Sequence, residues 1–320
     1  SADGFSPIYH WVINVSAVLF CLIGLSFLFL FLGHYFKTWI AAFVVAVLLY
    51  GTNLFYYAFH ATGFSHIYSF ALFSMIMYST DRIYQRGHKN CYGWFLLLAL
   101  GLALAVLTRP TNIIFLLWPL FWQTSNWRGF VARFRFFVRP KQLLPGLGLA
   151  FLVFLPQFLY WDYLSGSFIY YSYGNEGFTF WNNPQFKAVF FSAQSGMLLY
   201  NPMTIIFLLA GALYLKAHKA NALLILAIFA IVMYLTASWH SYLFGCSYGC
   251  RNFAGYFPIF AFPMAWLVNT LKKWKKWKAW LFFAFVVVFI TTNLKIIHAF
   301  DKCFFHPMWD YGAFLKYLVK

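Results

Sequence analysis

Long apolar stretches, separated by short polar connections, follow one another along almost the whole chain. A helix of roughly 20 residues crosses a bilayer core of ~30 Å, so each stretch is a candidate membrane span. The pattern predicts about ten spans, several of them short. They cover residues 9–32, 39–59, 64–79, 92–107, 111–122, 143–160, 202–215, 222–237, 253–271 and 280–298. We therefore expect an all-α, polytopic transmembrane helical bundle that forms a single domain over residues 1–320.

Residues 162–200 form a long polar segment between apolar stretches, and this segment contains few lysines and arginines. It contains Asp162 and Glu176 among serine, asparagine, glycine and many aromatic residues. A loop of this length between spans is usually either functional or disordered, and its aromatic content argues against disorder. We expect an ordered, water-facing aromatic loop that covers a site.

Composition supports a membrane protein, because 63% of the residues are hydrophobic and only 9% are charged, against about 25% charged residues in soluble domains. The net charge of +17 would indicate a nucleic-acid partner only if the basic residues formed a surface patch. They lie instead in short runs between apolar segments, which is typical of charges that determine topology. We expect no nucleic-acid partner, and anionic membrane lipids against the basic loops.

The basic residues also predict an orientation. If the chain begins outside the cytoplasm, most of the 23 lysines and arginines fall in loops that face inward. The seven that face outward are Arg109, Lys187, Arg251, Lys295, Lys302, Lys316 and Lys320. Of the six acidic residues, only Asp81 then faces inward. Chemistry that needs a carboxylate would therefore take place on the outer face.

The chain opens with SADGFSPIYH, which has no initiator methionine, basic leader or apolar signal region. A protein made in the cytosol needs an odd number of earlier spans to start on the outer side. We therefore expect an N-terminal span and a first outer loop to precede residue 1.

Two outer arginines are the main binding candidates. Arg109 lies in LTRPTN, where Pro110 breaks the helix, and Arg251 lies in the glycine-rich, aromatic loop WHSYLFGCSYGCRNF. A guanidinium group can bind a phosphate through two parallel hydrogen bonds. The alternative for Arg109 is a side chain that reaches the membrane interface or caps helix carbonyls. Two such arginines above an apolar bundle would suit a lipid phosphate whose tail lies between helices.

Two outer carboxylates are the catalytic candidates. Glu176 lies on a predicted turn, YGNEGF, and could act as a general base, a metal ligand or an acceptor for a sugar hydroxyl. A solvated carboxylate paired with an arginine is the alternative. Asp162, in YWDY, is either a second catalytic carboxylate or a residue at a helix end.

Histidines and cysteines give a weak metal signal. His60 and His66 flank a short turn without a nearby acid, and His240 stands alone in the Arg251 loop. The five cysteines have no CxxC spacing, although Cys246 and Cys250 could form a bridge if their loop is not helical. We find no GxSxG motif and no P-loop. The sequence therefore predicts no metal site.

Several segments together resemble one family. GTNLFYY, SHIYSF, LTRPTNIIFLLWPLFW, PQFLYWDYLSGSFIYYSYGNEGFTFW, GMLLYNP and GCSYGCRNF occur in this order over most of the chain. The ordered set resembles bacterial membrane glycosyltransferases of the GT-C superfamily, in particular those of Bacteroidetes-like bacteria.

The resemblance implies an inverting enzyme of the bacterial inner membrane, which transfers a sugar from a polyprenyl-phosphate donor on the periplasmic face. Arg109 and Arg251 would bind the lipid phosphate, and Glu176 would lie over the donor or acceptor. His66, His240, Tyr173 and Asn175 would line the same site. A divalent metal ion is the one cofactor that such chemistry would admit.

The chain departs from the family pattern in two places. The main catalytic acid of the superfamily lies in the first outer loop, which we expect before residue 1, and Ala61 stands where relatives would carry an acidic residue.

The alternative function is a non-catalytic membrane subunit that scaffolds a larger complex with a membrane or periplasmic protein partner. A transporter is disfavoured because the predicted spans contain almost no charged or polar residues at mid-span.

Overall fold

The structure is a computed structural model that describes residues 6–85, 91–245, 247–300 and 311–319. Across these ranges the chain is helical and contains no strand, which confirms the all-α prediction. The first helices are α1 Pro7–Gly33, α2 Thr38–Gly51, α3 Leu54–Phe59, α4 His66–Gln85, α5 Tyr92–Thr108, α6 Leu117–Phe121, α7 Trp127–Phe137 and α8 Pro140–Ser165. They are followed by α9 Phe186–Phe191, α10 Met197–Tyr200, α11 Met203–Ala217, α12 Lys219–Ser238, α13 Arg251–Ala254, α14 Ala261–Thr270, α15 Lys276–Ala299 and α16 Tyr311–Val319.

Within the described ranges, four helices, α1, α8, α12 and α15, are long and apolar enough to cross a membrane. Shorter apolar helices accompany them: α2, α5, α11 and the segment Pro110–Phe121. Together they identify a helical membrane protein.

Helix α4 lies at the centre of the bundle and runs parallel to α1. Tyr68 near its start hydrogen-bonds Ser16 at 2.7 Å, and Asp81 near its end contacts His34 at 2.6 Å. Nearly every residue of α4 is buried, including serines and threonines that would be unfavourable in contact with lipid. We call the end that carries His66 and the segment 166–185 the loop end, and the end that carries His34 and Asp81 the basic end.

The helical chain breaks at Pro110, as the sequence predicts. Arg109 is extended, with φ −154° and ψ 121°, because proline disfavours helical backbone in the residue before it. A 3₁₀ segment, Pro110–Leu116, continues toward α6. Asn112 is buried in this break, where its amide donates to Ser69 Oγ and to the Ala105 carbonyl, both at 3.0 Å. The break is therefore packed and hydrogen-bonded.

The predicted loop 162–200 is partly helical, which corrects its boundaries. Helix α8 continues to Ser165 because its polar last turn contains no residue that ends a helix, and Gly166 then takes a left-handed φ of +69° as its cap. Helices α9 and α10 also fall within the predicted loop. The basic connection near residue 130 contains a further unpredicted helix, α7, with one apolar and one basic face.

The segment 166–185 is attached to the end of α12. The amide of Phe180 donates to the Ser238 carbonyl at 3.0 Å, and the amide of Gln185 donates to the Ala237 carbonyl at 2.8 Å. The Tyr234 hydroxyl donates to the Trp181 carbonyl at 2.6 Å. These bonds give the segment a defined position although most of its side chains are exposed.

Replacing Gly24 with alanine should destabilise the contact between α1 and α4. An added Cβ would lie 2.6 Å from Phe70 Cε1 and 2.9 Å from Ala71 Cα, and the second of these is backbone. We expect Gly24→Ala to lower the free energy of unfolding in detergent by about 1–3 kcal/mol. Gly33→Ala is the matched control, since a Cβ at the last residue of α1 would meet nothing within 4 Å. Equal stability of the two variants would contradict this packing.

Candidate functional site

Arg109 joins three parts of the chain at the loop end. One guanidinium nitrogen, Nη1, lies 3.2 Å from Nδ1 of His66 at the start of α4. The other, Nη2, donates to Oδ1 of Asn252 in α13 at 2.9 Å. Because a guanidinium group only donates hydrogen bonds, Nδ1 of His66 accepts and carries no proton. His66 is therefore positioned as a neutral ring whose proton is on Nε2.

Arg251 lies close to Arg109, on the first residue of α13. Its guanidinium carbon is 4.8 Å from the ring centroid of Phe64 and 5.6 Å from that of Phe244. Aromatic faces attract a cation but do not neutralise it. Burial is the largest cause that lowers the pKa of Arg109 from its ordinary value, and the charge of Arg251 contributes to lowering it. Burial likewise lowers the pKa of Arg251.

The structure describes three carboxylates, and none forms an ion pair with either arginine. Asp81 pairs with His34 at the basic end, Glu176 faces His240, and Asp162 has no ion-pair partner among the described residues. Arg109 and Arg251 are both half-buried, and two neighbouring cations without a counter-charge are more favourable when an anion joins them. The arrangement can therefore bind an anion, and a phosphate matches the geometry of a guanidinium group.

Tyr173 connects the segment 166–185 to this pair. It lies within electrostatic range of both guanidinium groups. Its ring packs edge-on against Trp239 at 5.5 Å, and Trp239 packs against His240 at 5.0 Å. The predicted residues Arg109, Arg251, His66 and Tyr173 thus come together in one group, which we call the arginine cluster.

Glu176 and His240 form a second group beside the arginine cluster. His240 Nε2 lies 3.6 Å from Glu176 Oε1, and the Glu176 side chain is 54% exposed. The turn is stabilised by the Tyr171 hydroxyl, which donates to the Glu176 carbonyl at 2.7 Å. Asn175 is exposed on the same turn. The carboxylate is therefore accessible to a ligand and lies beside the imidazole ring of His240.

Asp162 belongs to the last turn of α8 rather than to a loop. It is half-buried, and its carbonyl accepts the amide of Gly166 at 2.8 Å. None of its contacts brings it to the arginine cluster. The structure therefore supplies the helix-end environment that was the alternative for this residue.

Buried asparagine side chains, which the sequence analysis did not select, stabilise the backbone that precedes Arg251. Asn53 donates from Nδ2 to the Tyr248 carbonyl at 3.2 Å, and its own backbone amide donates to Asn201 Oδ1 at 2.5 Å. Asn293 donates to the Thr52 carbonyl at 3.0 Å and accepts from the Tyr248 hydroxyl at 3.1 Å. These bonds position the residues that lead into Arg251. The signal that could have found them is an asparagine inside an apolar stretch.

The described residues contain no group of three histidine, cysteine, aspartate or glutamate side chains that could hold a metal ion. Asp3, Cys246, Asp301, Cys303 and Asp310 lie outside the described residues, and so does the predicted Cys246–Cys250 bridge.

The chain matches no protein-family model, no curated protein and no solved structure. The chemistry of the site therefore rests on its own geometry. That geometry combines two cations without a described counter-charge, an accessible carboxylate and Tyr173, which interacts electrostatically with both cations.

Replacing Gly249 with alanine should disturb the backbone that precedes Arg251. Gly249 has φ +63°, and an added Cβ would lie 2.5 Å from Asn201 Nδ2. Gly245 has a similar φ of +57° but open space around it. We expect Gly249→Ala to lower the free energy of unfolding by roughly 1–3 kcal/mol more than Gly245→Ala. The left-handed backbone strain is common to both variants, so equal unfolding midpoints would show that the contact with Asn201 is unimportant.

Proposed function

We propose that this chain is a GT-C type glycosyltransferase of the bacterial inner membrane that uses a polyprenyl-phosphate-linked sugar as donor. The observation that carries the proposal is the approach of Arg109 and Arg251 at one end of an apolar bundle, without an ion pair to any described carboxylate. A lipid phosphate combines the anion that the arginines require with a tail that the membrane accepts.

The proposed bundle has about ten passes. The shorter apolar helices would cross together with α1, α8, α12 and α15, and α2 with α3 would make one pass. Lysines crowd the basic end, notably at residues 272–278, which favours a cytoplasmic location for that end. The arginine cluster, the segment 166–185 and the N-terminus of the chain would then face the periplasm.

In the proposed mechanism, the oxygen of an acceptor hydroxyl bonds to the anomeric carbon while the bond from that carbon to the phosphate oxygen breaks. The acceptor proton passes to a carboxylate, for which Glu176 beside His240 is the accessible group. The polyprenyl phosphate leaves with an added negative charge, which Arg109 and Arg251 stabilise. Attack from the face opposite the leaving group inverts the anomer.

A second candidate function, a non-catalytic subunit that scaffolds a complex, is favoured by α8. None of its 26 residues is buried, although it is long enough to cross the membrane. Either lipid or a helix of a partner protein would cover such a surface. A protein that copurifies in fixed stoichiometry and protects α8 from cross-linking to lipid would support the scaffold over the enzyme.

Replacing Arg109 or Arg251 with alanine should lower sugar transfer by about a hundredfold, because each would stabilise the charge of the leaving phosphate. The measurement is release of polyprenyl phosphate from a panel of polyprenyl-phosphate sugars in native membranes that contain the full chain. Binding of undecaprenyl phosphate to the purified protein should weaken in parallel.

Arg128→Ala is the matched control, because Arg128 is exposed on α7 at the basic end. It removes the same charge from a different surface and should leave transfer unchanged. Near wild-type transfer by both Arg109→Ala and Arg251→Ala would overturn the assignment.

Replacing Glu176 with glutamine should lower transfer by about a hundredfold or more if this carboxylate accepts the acceptor proton. Binding of undecaprenyl phosphate should be unaffected, since Glu176 pairs with neither arginine. Asp162→Asn is the control, because Asp162 lies in the last turn of α8. Equal transfer by wild type and Glu176→Gln would remove Glu176 from the mechanism.

A further inference from the structure

A cavity of about 860 Å³ opens at the basic end, far from the arginine cluster. It lies between the end of α1, the residues that follow α6, the turn from α11 to α12, and α14. His66 and Asp81 mark the two ends of α4 and are separated by roughly 22 Å of helix. The volume is within the usual range for a small-molecule site, about 300–1,000 Å³.

The cavity is aromatic on one side and polar on the other. Phe262 and Trp266 of α14 form the aromatic wall. His218 and Lys219, at the turn into α12, contribute a ring and an ammonium group, and both are exposed. An apolar or aromatic group would find a surface to pack against, with a cation beside it.

The polar side of the cavity is held in place by its own hydrogen bonds. The Tyr35 hydroxyl donates to Asp81 and accepts from Gln123 Nε2 at 2.7 Å. The backbone amide of Gln123 donates to Oδ1 of Asn221 at 2.7 Å, and Nδ2 of Asn221 donates to the Tyr214 hydroxyl at 3.3 Å. A ligand would therefore meet polar groups that are already oriented.

The charge of this cavity is positive. Lys219 lines it, and no carboxylate does. Of the three described acids, Asp81 is the one beside the cavity; its side chain is 1% exposed and is hydrogen-bonded to His34 and Tyr35. Lys216 and the lysines of residues 272–278 add further positive charge at the same end. An anion is the ligand that this balance favours.

We propose that the cavity binds a phosphate ester, with the phosphate beside Lys219 and His218 and an apolar or aromatic group against Trp266 and Phe262. The site is separate from the arginine cluster and does not depend on the proposed transferase activity. The ester could be the headgroup of an anionic lipid that enters from the membrane, or a soluble aromatic phosphate that enters from the aqueous side.

The experiment uses the full chain in nanodiscs and two probes. Phosphatidylglycerol, compared with phosphatidylcholine, represents the lipid source and is detected as retained lipid by native mass spectrometry. Phenyl phosphate represents the soluble source and is detected by its binding isotherm. Saturable binding of either probe that Lys219→Ala weakens supports the proposal, and the probe that binds in this way identifies the source.

Lys219→Ala should weaken that binding about tenfold or more, as expected for loss of a charge-assisted contact. Lys219→Glu should abolish it, and because Lys219 is exposed, both variants should fold. Lys216→Ala is the matched control, since Lys216 is also exposed and lies three residues earlier, outside the cavity lining.

Equal weakening by Lys219→Ala and Lys216→Ala would mean that general surface charge attracts the probes and would overturn the proposal, as would the absence of binding by both probes. Arg109→Ala and Arg251→Ala should leave this binding unchanged. Loss of transferase activity and loss of this site are therefore distinguishable.

Discussion

The two hydrogen bonds of Arg109 determine where three distant parts of the chain meet. A guanidinium group that leaves water needs acceptors for its protons, and here they come from His66 and Asn252. Arg109 lies at the break between α5 and the 3₁₀ segment that starts at Pro110, where its backbone is extended. The start of α4, the end of α5 and the loop before α13 are thereby held at one point. Arg251 is the residue directly before Asn252 and therefore lies at this point as well.

Fully buried asparagines restrict the backbone around this point. The hydrogen bonds of Asn53 Nδ2, Asn201 Oδ1 and Asn293 Nδ2 form only in a narrow range of backbone positions. Asn53 Oδ1 and Asn201 Nδ2 have no hydrogen-bond partner within the described part of the chain. Their bonds extend to Tyr248, three residues before Arg251. A polar network inside an apolar bundle therefore orients Arg251 at the edge of that network. Hydrophobic packing alone would define the position of this residue less strictly.

Much of the fold was predictable because it depends on local pattern. The apolar stretches predicted helices, and Pro110 predicted the break beside Arg109. The pairing of Arg109 with Asn252 was not predictable, because the two residues are far apart in sequence and an asparagine in a loop carries no distinctive signal. The predicted end of α8 was too early because Asp162 and Ser165 are polar. Polar residues can occupy the last turn of a helix, and α8 ends only at its cap residue, Gly166. Arg109, Arg251, His66 and Tyr173 came together as neighbours, while Glu176 was found to face His240.

The burial of α4 has a consequence for how the protein enters the membrane. Its serines, threonines and Asp81 make it less apolar than the helices around it, and it is not one of the four with the length and hydropathy of an independent span. Such a segment partitions poorly into lipid by itself, because each exposed polar group would lose its water without a replacement. Ser16 of α1 pairs with Tyr68, and His34 and Tyr35, which directly follow α1, pair with Asp81. The hydroxyls of Ser69 and Ser74 donate instead to carbonyls one helical turn earlier. The position of α4 in the membrane therefore depends on its neighbours in the bundle, which bind Tyr68 and Asp81 and cover most of its surface.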